Sequence, residues 1–314
     1  MPFTTNLTGT AQVDDSIILE FDKQFLLSYE SMGIADQFVS YKKQIGAKSI
    51  SIPRYDHLAL ATTPLTETDD VVSEALVDSE VTFTPVEYGN VVTTTKLASL
   101  QTGGSGSQGG TADMAAARVV GINMGRTSNK LALLAADASA NVIYANDATS
   151  TVTLDAADIM SSTELDEVYN KLARASVPAI GSEYVALMHD DVIHDLRATS
   201  AAGTWVDVNK YARPDEVLKN EVGMYKGFRI IRDNLCLLQA DGGSGTVDAY
   251  TSYFLGLDAL GKAASQEPTM IATGPFDKLA RFINIGWHGC FQYKILQQDA
   301  LWTVESASSV GANA

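Results

Sequence analysis

Between Tyr55 and Thr95 the chain carries eight acids, Asp56, Glu67, Asp69, Asp70, Glu74, Asp78, Glu80 and Glu87, and no Lys or Arg. Half the magnitude of the formal net charge of -16 therefore sits in a small part of the 314 residues. Val71-Val72, Val81 to Thr84 and Val91 to Thr95 are rich in β-branched residues, as strands are, with turn residues between them. The expectation is a protruding two-stranded hairpin. A lone hairpin is marginal in water, so one this long needs a surface to lie on. Its charge asks for a basic one. A second copy of the chain is the candidate for that surface.

The flanking segments differ in character. Val13, Ile17, Phe21, Phe25 and Tyr29 recur four apart with Asp14, Asp15, Glu20 and Asp22 between them, which predicts an amphipathic helix over 13–30. The stretch to Arg54 adds Lys42, Lys43 and Lys48 and ends in the alternating strand Ser49 to Pro53, and it reads as an arm. Beyond the acidic segment, Gly103 to Gly110 is a flexible hinge. Thr111 then caps a helix running to about Ala138, roughly 40 Å long. Met114, Ala117, Gly121, Met124, Ser128, Leu131 and Ala135 give it one narrow seam, with Arg118, Arg126 and Lys130 off it.

Shorter alternating elements follow. Ser161 to Glu164 has the pattern of a capping box, opening a helix that ends before Val177-Pro178. Tyr184 to Met188 has strand length, Asp190 caps a helix to about Arg197, and Pro214 opens another. Gly223 to Gly227 turns into the strand Phe228 to Ile231, and about 151–265 reads as an α+β domain. The tail (282–287, 291–296 and 301–304) is apolar and strand-like, ready to complete a sheet.

The charge balance excludes some classes of function. With 38 acids against 22 Lys plus Arg and a pI near 4.5, the surface repels phosphate and lacks the basic stripe of a nucleic-acid reader. No apolar run reaches membrane-spanning length, and Met1 to Gln12 has no leader pattern, so the expectation is a protein kept in the cytosol. Cys236 and Cys290 lie far apart among apolar neighbours, which excludes a disulfide framework.

A search for chemistry returns little. Gly104, Gly106 and Gly109 fit the G-x-G-x-x-G fingerprint of dinucleotide binding, but the preceding Thr93 to Thr102 is polar where a buried strand is required. The acid expected about 20 residues on is missing. His189 to Asp195 gathers two His and three Asp, yet the histidines are five apart, where a helical metal pair needs four. Asp190 reads as an N-cap, and Asp191 and Asp195 as exposed first-turn acids. His288 and Cys290 would share a strand face in a packed sheet, and His57 beside Asp56 reads as an exposed hairpin residue. No catalytic residue, metal site or cofactor is expected. The alternative of a different class is a dinucleotide-binding enzyme using the Gly104/Gly106/Gly109 loop.

Several stretches resemble one family in order along the chain: Lys48 to Pro53, Phe83 to Gly89, Tyr184 to Leu196, Gly223 to Ile231, Phe254 to Gly261 and the Gly286-Trp287 strand. They resemble the major capsid proteins of tailed bacteriophages, whose architecture is called the Hong Kong 97 fold, and particularly the group named for the coat of phage N-four. The resemblance implies an α+β fold divided into an N-terminal arm (1–53), an extended β-hairpin loop (54–100) and a peripheral domain with a long spine helix (101–150). An axial domain (151–265) and return strands of the peripheral domain (266–314) complete it.

It also implies a non-enzymatic shell protein that self-assembles as hexamers and pentamers into an icosahedral head around double-stranded DNA. That DNA would be enclosed without specific binding. A bacterial encapsulin-type compartment is the close variant. Scaffolding and portal proteins are the implied partners, with a decoration protein as an optional further one, and no membrane. The protein would be made in host cytoplasm and end in the virion. In such shells the extended loop lies across a neighbouring subunit. Its contacts are guessed as Asp69, Asp70, Glu74, Asp78 and Glu80 on one side, and Lys42, Lys43, Arg118, Arg126 and Lys130 on the other. Residues 49–95 contain no lysine, so the covalent welding of the namesake phage is not expected.

Overall fold

A computed structural model describes residues 33–43, 48–55, 58–102 apart from 63, 66, 68, 69 and 72, 111–198, 221–274, 277–279 and 281–310. The helix expected over 13–30, His57, Asp69, the glycine-rich 103–110 and the helix opened by Pro214 lie outside the described residues.

The elements in chain order are β1 (Ser40–Lys43), β2 (Ile50–Tyr55), β3 (Asp78–Phe83), β4 (Val86–Thr95), α1 (Lys96–Gln101), α2 (Thr111–Asp137) and β5 (Val142–Tyr144). There follow α3 (Ser162–Arg174), β6 (Tyr184–Met188), α4 (Asp190–Ala198), β7 (Glu221–Tyr225), β8 (Phe228–Arg232) and β9 (Leu238–Gln239). The last are β10 (Ala249–Leu255), β11 (Leu260–Thr273), β12 (Phe282–Ile295) and β13 (Leu301–Ser306). They form a four-stranded sheet in the order β1-β11-β12-β4, a seven-stranded sheet β5-β13-β10-β6-β8-β7 with β9 on β10, and the two-stranded β2-β3.

The long helix α2 lies against the four-stranded sheet because its small side chains permit close approach. Ala116 and Ala117 bury against Ile283 and Ile285. Trp287 donates its indole N–H to Asn123 Oδ1 at 3.0 Å. Farther along, Val120, Met124, Ala132, Leu133 and Ala136 enter the main core with Phe291 and Phe254. The buried face is broader than the seam expected from sequence, and Met114, placed on that seam, is exposed.

In the seven-stranded sheet all residues of β10 and β6 are buried, so both read as apolar runs rather than alternating patterns. The capping box at α3 is present: Thr163 N–H donates to Ser161 Oγ at 3.2 Å and Ser161 N–H to Glu164 Oε2 at 2.9 Å. Lys226 and Gly227, at φ 50 and 81, form the tight β7-β8 turn. A Cβ at Gly227 would meet the Tyr169 ring at 2.6 Å.

A buried polar network ties the start of the described chain to this frame. The Lys262 ammonium is nearly excluded from solvent, 3.1 Å from Asp36 and 3.3 Å from Glu267, and it lies over the rings of Phe291 and Tyr293. Tyr293 donates to Asp36 at 2.7 Å and shares a 2.6 Å bond with the Ser128 hydroxyl. Asn129 accepts from Ala35 N–H at 2.7 Å and donates to Asp233 at 2.6 Å. Burial pushes the Asp233 carboxyl up, against the bonds from Asn129 and the Leu235 N–H that pull it down.

The strand pairing departs from the sequence reading in three places. β3 pairs with β2 rather than with Val91 to Thr95, while β4 pairs over ten positions with β12. The described part of 71–77 is not strand. The tail divides: β12 is one continuous strand of the four-stranded sheet, but β13 joins the seven-stranded sheet beside β10 and β5. Asp195, expected to be exposed, is buried, because it shares the inward face of α4 with Val192 and Leu196. Its carboxylate accepts from the Ser309 N–H at 2.9 Å and from the Ser309 hydroxyl, fastening the chain beyond β13.

Candidate inter-subunit surface

Among the described residues, the β2-β3 hairpin is hydrogen-bonded to the body at its root. Phe83 is fully buried, Thr84 N–H donates to Gln292 Oε1 at 2.7 Å, and the Lys294 ammonium donates to Thr82 O at 2.8 Å. Away from the root, no residue of β2 is buried, and none of β3 before Phe83. Pro53 is tolerated in β2 because that strand has one partner and its other edge is free. Beyond the root a cleft of about 430 Å³ opens between the hairpin and the body, lined in part by Tyr41, Lys42, Arg54, Tyr55 and Val81.

The described part of 58–77 is unpaired and carries large apolar side chains into solvent: Leu60 is 88% and Leu65 77% exposed, and Leu58, Val71, Leu76 and Val77 are exposed as well. The acids accompany them. Glu67, Asp70, Glu74, Asp78 and Glu80 are all exposed. No described cation lies within ion-pair distance of Asp70, Glu74, Asp78 or Glu80, and Glu80 accepts from the Ser51 hydroxyl at 2.7 Å. An exposed run of leucines rimmed by unpaired carboxylates is the composition of a docking surface rather than of a solvated loop. These leucines carry no helix or strand period of their own in the sequence, apart from Leu58 and Leu60, so only their exposure marks them.

The candidate cations occupy different positions. Lys42 and Lys43 are exposed on β1, an edge strand, and Lys42 lines the cleft beside its own hairpin. Arg118 and Arg126 are exposed on α2. Lys130 is half-buried and donates to Leu235 O at 3.0 Å within its own chain. Within one chain the described acids of the hairpin and these five cations are not brought into ion pairs. Asp69 lies outside the described residues.

The dense polar cluster around His189 is consumed by packing. Asp190 pairs with Arg232, and Asp191 lies 3.2 Å from His189 and accepts from Tyr250 at 2.9 Å. Burial is the first cause, and the Asp191 carboxylate the next, of a Tyr250 hydroxyl pushed far above its usual range. His288 stands 4.0 Å from Glu87 on the face of β12 that also carries Cys290. Among the described residues no group of three or more His, Cys, Asp and Glu is arranged to hold a metal ion.

Comparison with known proteins decides the architecture. No family model and no curated protein matches the chain in sequence. Solved structures do match in shape. The capsid of Ralstonia phage GP4 superimposes with a TM-score of 0.72 at 15% identity, over 91% of this chain and 92% of that one. The capsid asymmetric unit of cyanophage Pam1 gives 0.64 at 15% identity, over 87% and 89%. A virus-like particle from Pyrococcus furiosus gives 0.56 at 11% identity, over 91% and 98%. The chain has the Hong Kong 97 fold.

The Hong Kong 97 fold accounts for the order of elements seen here: a hairpin, a long helix on one sheet, and a second sheet with its own helices. It does not accommodate the dinucleotide reading. A helix, α1, directly precedes the glycine-rich residues, where that fingerprint requires a strand.

Proposed function

We propose that this chain is the major capsid protein of a tailed bacteriophage, a non-enzymatic structural protein that assembles with copies of itself into the icosahedral head. One observation carries the proposal: in a chain of this fold, the hairpin and the residues at its tip expose leucines and unpaired carboxylates that nothing in the described chain covers. A repeated heterologous contact, the hairpin of each subunit seated on the next, closes into rings, and five-fold and six-fold rings of one chain tile a container. Hexamers and pentamers of this chain are the partners the reading needs first.

The division into parts follows the sheets. The β2-β3 hairpin with the residues between its strands would be the extended loop, so the loop would open at Ile50 rather than at 54, and α2 with the four-stranded sheet, β4 included, would be the peripheral domain. The seven-stranded sheet with α3 and α4 forms the axial domain, to which the tail contributes β13. The acids of the loop, Asp69, Asp70, Glu74, Asp78 and Glu80, would meet Lys42, Lys43, Arg118 or Arg126 of a neighbour. Lys130 is the least available of the five candidates because it already donates within its own chain. A net charge of -16 would let the shell hold DNA without gripping it, since few phosphates are neutralised. Scaffolding and portal proteins complete the assembly in this reading, which places the finished protein in the virion after synthesis in host cytoplasm. No helix among the described residues is long and apolar enough to cross a membrane.

Electron microscopy of the purified full-length chain tests the proposal. Closed shells with five-fold vertices are expected, and only solitary particles at high protein concentration would refute it. Denaturing electrophoresis of boiled shells should show single chains, because the loop has no lysine to weld.

A further inference from the structure

One wall of the cleft beside the hairpin is β1, the edge strand of the four-stranded sheet, and the other is the hairpin itself. The period of two puts Ile52, Arg54 and Val81 on one face of the hairpin, in line with Ile50 and the buried Phe83. All three are half-buried, and all three line the cleft of about 430 Å³. Two cations line it as well, Lys42 from β1 and Arg54 from β2, and no described acid lies within ion-pair distance of either. Asp258, the acid in the lining, accepts from the Ser40 hydroxyl instead. A half-buried guanidinium beside apolar side chains suits a carboxylate that arrives with an apolar neighbour.

The residues just before β3 supply that combination. Residues 73–77 belong to no strand, and in an extended chain Glu74 and Leu76 point to the same side. Both are exposed, Leu76 at 63%, and no described cation reaches Glu74. The segment cannot turn back along its own β3 to bring Leu76 to Val81. That strand begins at Asp78, which leaves Val77 alone to make the turn, and the tightest common hairpin connection takes two residues. A second copy has no such constraint.

Resting on the capsid reading above, we propose that the cleft is the seat for residues 73–77 of a neighbouring copy, with Leu76 against Ile52 and Val81 and the Glu74 carboxylate between Lys42 and Arg54. Segment and seat are different surfaces of one chain. Each copy therefore gives one and receives one, and the contact repeats head to tail round a ring. Arg54 joins Lys42 as a cation of the contact, and Arg118 and Arg126 of α2 are not needed for it.

The test uses two full-length variants, L76C and I52C, each carrying Cys290→Ser, mixed in equal parts, assembled and mildly oxidised. The remaining Cys236 is buried, and burial holds its thiol well above its usual range, so it does not compete. Non-reducing electrophoresis with peptide mapping should find a disulfide between positions 52 and 76 of different chains. In parallel, R54E alone and E74R alone should each raise the protein concentration needed for assembly by about tenfold, the factor that ~1.4 kcal/mol gives, and R54E with E74R together should bring it back toward the parent value. Circular dichroism melts of the unassembled variants should match the parent. Shells that form without the disulfide, and a charge-reversed pair no better than either single variant, would overturn the seat and leave the capsid reading standing. A disulfide within one chain, formed in unassembled protein carrying both cysteines, would assign the cleft to the chain's own segment and overturn it too. No shells from the parent chain would overturn the capsid reading and the seat together.

Discussion

Replacing Leu60 and Leu65 with serine separates folding from assembly, because these side chains touch so little of their own subunit. At 88% and 77% exposure they contribute almost nothing to the core of the isolated chain. Surface changes of this kind move folding stability by no more than about 0.5 kcal/mol. Burying a leucine is worth ~1.5–3 kcal/mol, so losing the pair should weaken each subunit contact by roughly 2–5 kcal/mol. In association terms that is roughly thirty-fold to several-thousand-fold. The assay is light scattering against protein concentration, with circular dichroism melts of the unassembled chain alongside. The threshold for assembly should rise by that factor while the melting midpoint stays put. An unchanged threshold would show that the leucines meet no neighbour, and a midpoint lowered by several degrees would show that they pack on their own body.

Other consequences concern the frame that carries the hairpin. Asp137 ends α2 where the helix dipole disfavours an anion, and burial raises its carboxyl against the lowering effects of Tyr253 and Lys130. A carboxyl whose folded pKa exceeds its unfolded value costs stability at neutral pH, and that cost disappears as pH falls through the folded pKa. Asp137→Asn should therefore melt higher than the parent at pH 7, the two converging toward the ordinary carboxylate range near ~4; a lower midpoint for the variant at pH 7 would contradict this. Lys262→Ala leaves the half-buried Asp36 with Tyr293 but without its cation and should cost about 3 kcal/mol in urea unfolding, whereas a loss below about 1 kcal/mol would mean the pair is solvated. Ser161→Ala removes the cap acceptor of α3 and should cost about 1 kcal/mol, read from the shift in urea midpoint.

What was legible in the sequence was local. The capping box at Ser161, the extent of α2 and the strand at Tyr184 to Met188 depend on neighbours a few residues away, and each is found where the pattern put it; the turn read over Gly223 to Gly227 shrinks to Lys226-Gly227, because Gly223 to Tyr225 pair as strand β7. The partners of β3 and β4 were not legible, because pairing is decided far along the chain: Thr93 bonds Asn284, 191 residues away. The tail read as separate strands at 282–287 and 291–296, yet β12 runs unbroken through 288–290, and Gly286 lets the neighbouring strand approach, since a Cβ there would come within 2.7 Å of the Asn90 carbonyl. Lys262 looked like any surface lysine, and its burial depends on Asp36, 226 residues distant. The acidic half of the candidate contact was visible as composition. Its apolar half became visible only when the structure showed that Leu60 and Leu65 have nothing of their own to bury against.

The account rests on the hairpin being held by a different copy of the chain, and photo-crosslinking from position 60 in particles assembled from equal parts of light and nitrogen-15 chains reads this directly. Mass spectrometry should find the crosslinked peptides as light-heavy mixtures in about the half proportion that random neighbours give. Crosslinks joining only light to light and heavy to heavy would place the hairpin on its own subunit and contradict the account.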